Sequence, residues 1–419
     1  MIFIKGAIRM RTTVLRNARS TIAMVLAGGK GERLHPITLN RPKPFVSFGG
    51  KYKIIDFVLS NLFNSGIKKV FVLTQYQAYP LNKHIKESWS RWAGLGEFYD
   101  TISPETNNER EEWFKGTADA IFQFMRILEA TDAEYVAIFG GDHIYRMDVS
   151  QMISDHILNQ ADITVASLEI PSEEAKRFGI CSVDKDFRVY DFLEKPENPP
   201  TIPYRSTCFA SMGNYIFSRN KLIEVLKKGR QRHVDLDFGK HIIPMMLEDG
   251  DRVFAYNFID NIIPGNKASE KGYWKDVGTI DSYYNANMDL INFAPQFNLY
   301  NYRWPIITKQ GNFPPATTVF EEDGRCGQSF NTFLCGGCII SGSTVHRSII
   351  GPCCQVNSYS LIEDSILFDN VKVGKNVQIK RAIIDENISI PSNTQIGYDH
   401  EADRRQGYLV TDSGIVVVS

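Results

Sequence analysis

The stretch Thr21-Ile-Ala-Met-Val-Leu-Ala-Gly-Gly-Lys-Gly-Glu-Arg-Leu34 decides how the chain is read. Its first seven residues are apolar or β-branched without alternation, the pattern of a strand buried on both faces, as in parallel sheets. Gly28, Gly29 and Gly31 follow directly, and glycines there let the backbone approach a ligand closely and turn its N–H groups toward phosphate. The turn is not a Walker A loop, since no G-x-x-x-x-G-K-[ST] occurs, and it is not a G-x-G-x-x-G dinucleotide loop. Taken alone, the glycines fit a plain turn beside a solvated basic loop equally well.

Outward from this stretch, runs at 70–74, 135–139 and 163–168 repeat the doubly buried strand pattern. Between them Ile55, Val58, Leu59, Leu62 and Phe63 fall on one helical face, and Ile121, Phe122, Met125 and Leu128 fall on another. Strand, helix and strand in this order predict right-handed crossovers and an α/β sheet. Residues 104–112, 196–206 and 264–272 have the composition of surface loops.

Past about residue 300 the pattern changes. Leu361, Leu367, Val373 and Ile379 recur every six residues, as do Val371, Val377 and Ile383, and again Ile384, Ile390 and Ile396. Aliphatics at that period predict a parallel β-helix whose coils stack one apolar ladder; antiparallel strands would alternate by two. The boundaries that follow are a basic arm at 1–20, a catalytic domain at 21–295, an aromatic and proline-rich connector at 296–315, and the β-helix at 316–419.

At 419 residues the chain is long enough for two cores, and 43% hydrophobic with 23% charged residues is ordinary globular composition. A net charge of -1 gives no drive toward nucleic acid or membrane, and no run of eighteen apolar residues exists to form a transmembrane helix. Residues 1–53 nevertheless carry eleven Lys or Arg against the single acid Glu32, an excess suited to an anionic small molecule. The Arg-rich start resembles a transit peptide, although a disordered arm or a start at Met10 is the plainer reading. Seven cysteines without framework spacing point to a reduced, cytoplasmic protein. Cys335-Gly-Gly-Cys338 has metal or redox spacing but lacks a second pair, so it reads as packing in a tight turn.

Candidate chemistry concentrates at strand ends. Arg33 and Lys43 follow the glycine turn, and Lys43 is held between Pro42 and Pro44. Asp142, in Phe139-Gly-Gly-Asp-His143, follows an apolar strand, where open α/β sheets bind ligands; a helix cap is its plain alternative. Asp276, in Tyr273-Trp-Lys-Asp-Val-Gly-Thr279, is a second candidate metal carboxylate. In Phe192-Leu-Glu-Lys-Pro196, Glu194 can accept sugar hydroxyls and Lys195 is restricted by Pro196, unless the two form an ordinary surface pair.

With AGGKGERL (27–34), RPKP (41–44), FGGKYKIIDFVLSN (48–61), TQYQ (74–77), WFKGTADA (113–120), GDHIY (141–145), FGI (178–180), FLEKP (192–196), ASMGNYIF (210–217) and YWKDVGT (273–279), the chain resembles the nucleotidyltransferases that activate sugar 1-phosphates. The likeness is strongest to the bacterial glucose-1-phosphate adenylyltransferase branch and runs from about Ile22 to the C-terminus. It implies a Rossmann-like mixed, mostly parallel sheet followed by a left-handed parallel β-helix, and a homotetramer. It also implies Mg²⁺-dependent conversion of ATP and glucose 1-phosphate to ADP-glucose and diphosphate for glycogen synthesis.

Carried over by position, Arg33 and Lys43 would clamp the triphosphate. Leu26, Gly28, Gly29 and Gly116 would cradle ATP, with Gln75 on the adenine. Asp142 and Asp276 would hold Mg²⁺, and Phe114, Gly179, Glu194, Lys195 and Ser211 would bind glucose 1-phosphate. Phe114 stands where members often have Tyr and loses a hydroxyl. Members controlled by sugar bisphosphates carry a basic cluster between the domains; here Arg41, Lys53 and Arg381 remain, but Asn40, Ser47, Pro80 and Ala130 depart from it. The resemblance therefore implies a weak or altered response to fructose 1,6-bisphosphate. The alternatives are a non-catalytic regulatory subunit, another nucleotide specificity, or an acyltransferase using His346 or His400.

Overall fold

A computed structural model describes residues 16–104, 113–322 and 324–419. Most of the expected basic arm, up to residue 15, and most of the acidic stretch 104–112 lie outside the described residues. Thr21–Ala27 is an inner strand of a nine-stranded sheet. It pairs in parallel with Lys69–Thr74 on one side and Tyr135–Gly140 on the other, and Phe98–Ile102 extends this parallel half. The other half is built on the long strand Thr207–Ser218, antiparallel to Tyr135–Gly140, Ile163–Pro171 and Gly179–Val183. Val189–Glu194 folds back on Gly179–Val183, and Val253–Asn257 joins Ile163–Pro171 in parallel.

Successive side chains of a strand face opposite sides of its sheet. Ile22 and Met24 accordingly enter one core, and Ala23, Val25 and Ala27 the other. This is why the first strand reads as an unbroken apolar run. Leu26 lies opposite Gly140 and Ala27 opposite Thr74, so the three central strands end at the same edge. Gly28, Gln75 and Gly141 leave the sheet there together.

The helical faces are less regular than their sequence pattern. Ile54–Asn64 buries Asp56, Ser60 and Asn61 as well as its apolar residues. The single face expected over 121–128 is split between Thr117–Phe122 and Met125–Ala130, because Phe124 leaves helical geometry at φ -104° and ψ 26°. Phe122 and Met125 stay only partly buried as a result.

The C-terminal coils form the β-helix, with three parallel ladders along its sides. Val345, Ile362, Ile379 and Ile396 stack in register, and coil-to-coil hydrogen bonds such as Val377 N–H to Ser360 Oγ link residues 17 apart. A coil is thus one residue short of three hexads. The aliphatic at its start slips accordingly: fully buried Ile362, not half-buried Leu361, completes the ladder. Corners are turned by Asn370, Asn376, Asn387 and Asn393 at φ 55–66°, a left-handed conformation that Asn tolerates. Their side chains pair between coils, Asn370 with Asn387 at 2.9 Å and Asn376 with Asn393 at 3.2 Å.

The β-helix and the sheet domain share an apolar core in which Phe48, Phe57 and Tyr283 meet Ile349, Phe368 and Val417. Asp56 ties the connector to this arrangement. Its buried carboxylate accepts from Lys53 N at 2.8 Å, Trp89 Nε1 at 2.9 Å and Thr308 Oγ1 at 2.6 Å, and pairs with His84 Nε2 at 2.7 Å.

Candidate active site

A cleft of about 740 Å³ opens at the shared edge of the three central strands. Leu26, Gly28, Gly29, Arg33, Lys43, Gln75, Phe114, Gly116 and Asp142 all line it. Gly28 is confined: a Cβ there would stand 3.2 Å from Gln75 Cβ and 3.5 Å from the Phe114 ring. Gly29 faces open space, and Gly31 makes the turn at φ 66° with Lys43 Cβ against its open side. At Gly116 a Cβ would run into the carbonyl oxygen of Leu236, which already accepts from the Ala118 and Asp119 amides.

Lys43 is the centre of charge. It begins the 3-10 turn Lys43–Phe45 with Pro42 as cap, and its side chain is only 6% exposed. Its ammonium donates to Asp142 Oδ2 at 2.9 Å and to Asp276 Oδ1 at 2.8 Å. Burial opposes that charge, but Asp142 and Asp276 outweigh it and hold the ammonium above its ordinary pKa. Burial would likewise raise Asp142, yet Lys43 foremost and His143 next hold its carboxyl well below the usual range. Arg33 reaches Asp276 at 3.7 Å from the exposed side.

Asp276 arrives from a remote part of the chain because the strand Trp274–Asp276 pairs antiparallel with His143–Tyr145, setting Asp276 opposite His143. Trp274 fixes this junction by packing its ring 5.0 Å from His143 and 5.1 Å from Phe178. Among the described residues, Asp142, His143 and Asp276 are the one group whose ligand atoms, all within 4.8 Å of one another, suit a metal ion. Two carboxylates already sharing one cation match the oxygen preference of a hard divalent ion. Cys335 and Cys338 form no such group; the Cys338 thiol is buried and donates to the Gly351 carbonyl at 3.0 Å.

Gly179, Glu194, Lys195 and Ser211 form a second group beside the cleft. Glu194 stands opposite Gly179 in the antiparallel pair, and Ser211 marks the bulge in Thr207–Ser218. Glu194 has its pKa raised, first by burial and then by Asp237, against the pull of Lys195 at 3.5 Å. Lys195 adopts φ 49°, a left-handed conformation costing a residue with a Cβ about 1–2 kcal/mol, and its side chain is exposed.

Asp237 joins the two groups. It lines the cleft, accepts from Thr117 Oγ1 at 2.8 Å, and also caps the Gly239 and Lys240 amides. Asp237, Thr117, Tyr215 and His143 line the cleft without having been singled out from sequence. His143, Thr117 and Tyr215 stand inside the quoted motifs GDHIY, WFKGTADA and ASMGNYIF, whereas Asp237 reads as nothing more than a helix cap.

Arg41, Lys53 and Arg381 lie away from the cleft. Arg41 is buried and pairs with Asp385 at 2.9 Å and Glu386 at 3.5 Å of the β-helix. Lys53 donates to Ser47 Oγ at 2.7 Å, with Asp369 at 3.9 Å, and Arg381 lies over the Tyr284 ring at 5.5 Å.

A nucleotidyl transferase family model matches residues 22–292, and a GlmU-like C-terminal hexapeptide model matches residues 314–418. The glucose-1-phosphate adenylyltransferase of Geobacter metallireducens is 71% identical over 402 residues, covering 96% of this chain and 98% of that protein. That of Trichlorobacter lovleyi is 67% identical, covering 96% and 97%. That of Deinococcus deserti is 48% identical, covering 95% and 97%. With likeness of this extent across both domains, the chain belongs to the nucleotidyl transferases, in their glucose-1-phosphate adenylyltransferase family.

Proposed function

We infer that the chain is an enzyme that transfers the adenylyl group of ATP to glucose 1-phosphate, giving ADP-glucose and diphosphate. The observation that carries this reading is the convergence of the glycine turn, Lys43 and the Asp142–Asp276 pair on one cleft. The sugar phosphate is already ionised near neutral pH, so its oxygen attacks the α-phosphorus of ATP in line without a general base. The obstacle is the negative charge gathered on two phosphorylated substrates.

This chain's residues meet that obstacle from several sides. The Gly28–Gly29 backbone cradles the triphosphate, Lys43 and Arg33 neutralise it, and Gln75 faces the adenine. Glu194 accepts from the glucose hydroxyls while Lys195 binds the sugar's phosphate, with Phe114, Gly179 and Ser211 completing that side. A divalent cation, Mg²⁺ in our reading, would be held by Asp142 and Asp276 and would supply further neutralisation of the phosphate charge.

The test is pyrophosphate release by the purified chain alone, with ATP and glucose 1-phosphate, against UTP, dTTP and GTP as competitors. Release with ATP is expected, and Asp142→Ala should lower it by about two orders of magnitude in a folded protein. No release, or preference for another nucleotide, sinks the assignment.

The assembly we propose is a cytoplasmic homotetramer, checked by light scattering. Arg41 and Lys53 meet Asp385, Glu386 and Asp369 of the chain itself, which favours a weak response to phosphorylated effectors. Strong activation by fructose 1,6-bisphosphate would contradict it.

A further inference from the structure

A buried charge pair lies behind the Asp142–Asp276 group, and nothing in the mechanism uses it. Arg146 follows the strand His143–Tyr145, and Glu270 precedes the strand Trp274–Asp276. Each is only 4% exposed. Arg146 Nε and Nη2 have no hydrogen-bond partner, and neither carboxylate oxygen of Glu270 has one. The Lys267 and Asn298 amides face Glu270 without completing hydrogen bonds to it. The two charged groups attract each other, yet stand beyond the 4.0 Å of a direct ion pair.

Both side chains line a cavity of about 20 Å³, together with Asn261, Asn266 and Tyr273, whose hydroxyl is also buried and unpartnered. Opposite charges shut away from water without hydrogen bonds are strongly destabilising. Space of this size holds one water molecule, provided polar partners surround it. An anion there would face Glu270 and a cation would face Arg146, so the ligand that suits both is neutral and can donate and accept. Arg146 is held by stacking: its guanidinium lies 4.4 Å over the Phe297 ring, which packs 5.3 Å from Tyr273.

We propose that Arg146 and Glu270 are joined through one buried water, and that this pair is a positioning device holding Asp276 opposite His143 for divalent-cation binding. It braces the segments on either side of the strand pairing that brings Asp276 to the cleft. The proposal rests on the reading of Asp142 and Asp276 as the metal carboxylates.

The experiment is a titration of the full chain with Mn²⁺, read from the free-ion electron paramagnetic resonance signal, in the presence of α,β-methylene-ATP. Glu270→Gln is expected to weaken Mn²⁺ binding by roughly tenfold, as residues acting behind a metal ligand do. Affinity for the nucleotide analogue without metal should not change, which separates positioning from a merely structural role. Asp276→Asn serves as the reference. Unchanged Mn²⁺ affinity in folded Glu270→Gln, beside weakened affinity in Asp276→Asn, overturns the positioning role alone. Unchanged affinity in Asp276→Asn overturns the metal reading and this proposal with it. Should Glu270→Gln not fold, Tyr273→Phe removes a single hydroxyl from the cavity wall; weaker Mn²⁺ binding supports the proposal, and full affinity overturns it. A crystal structure lacking solvent density between Arg146 and Glu270 overturns the water bridge.

Discussion

Replacing Lys43 by Met tests the site at its centre. The substitution keeps much of the side chain's length and removes the ammonium that lies 2.9 Å from Asp142 and 2.8 Å from Asp276. Breaking a fully buried ion pair costs about 3–5 kcal/mol, whereas an exposed pair contributes at most about 1 kcal/mol. Here the lysine is buried, but the Asp142 and Asp276 side chains keep 38% and 23% of their exposure. The cost therefore falls between those limits, at about 2 kcal/mol. In a domain this large that corresponds to a melting temperature lowered by about 4 °C in chelator.

The sign of the metal effect separates this account from simple loss of packing. In the native protein a divalent cation must compete with the ammonium for the two carboxylates, whereas in Lys43→Met it replaces the missing charge. Added MgCl₂ should therefore raise the variant's melting temperature more than the native protein's. Turnover should stay about 10²–10³-fold low, because the ammonium proposed to neutralise the phosphates is not replaced. Differential scanning fluorimetry with and without chelator, alongside pyrophosphate release, measures both. Equal melting temperatures in chelator, or an equal response to Mg²⁺, would show that the ammonium does not hold the two carboxylates together.

Asp56→Asn should lower the free energy of unfolding by about 3 kcal/mol in urea titrations, since an amide has one acceptor oxygen and turns an NH₂ toward donors. Those donors include Trp89 and Thr308, at 2.9 and 2.6 Å. Burial pushes His156 down to about 4, so its neutral form is favoured by folding; stability is full above about pH 6.5 and is lost as pH falls toward 4. The loss amounts to at most about 3 kcal/mol, and His156→Gln should flatten that slope in melts across the same range. Burial also raises Glu194, so the ionised form needed to accept sugar hydroxyls is lost, and kcat/KM declines, as pH falls through a value above 4.5. Glu194→Gln should lower kcat/KM roughly tenfold or more and abolish that acid limb; an unchanged limb in the variant assigns it to another group.

What the sequence made legible was local. Thr21–Ala27 and its glycines occupy consecutive positions, so strand, turn and cleft-lining backbone are read together. The hexads of the β-helix were equally plain, but the phase was not. A coil of 17 residues is set by how tightly the corners close, and only stacking reveals that Ile362 takes the place expected of Leu361. Residues that act through tertiary pairing left still less trace. Asp237 reaches the cleft through its bond to Thr117, and Asp56 looks like an interruption in an apolar helix until its partners are assembled. Arg41 and Lys53 read as the remainder of a basic effector cluster, since the acids that meet them lie more than 300 residues away in the β-helix.

That last pairing bears on how the two parts of the chain cooperate. Arg41 and Lys43 are separated only by Pro42, whose ring fixes its own φ, and Pro44 follows. One end of this stiff segment is bound to the β-helix through Asp385 and Glu386, and the other places an ammonium between Asp142 and Asp276. A shift of the β-helix against the sheet would load the buried Arg41 pair and, through Pro42, the backbone that carries Lys43. The β-helix is thereby tied, through Arg41, to the segment that carries the cleft-lining Lys43, although among the described residues it contributes no side chain to the cleft.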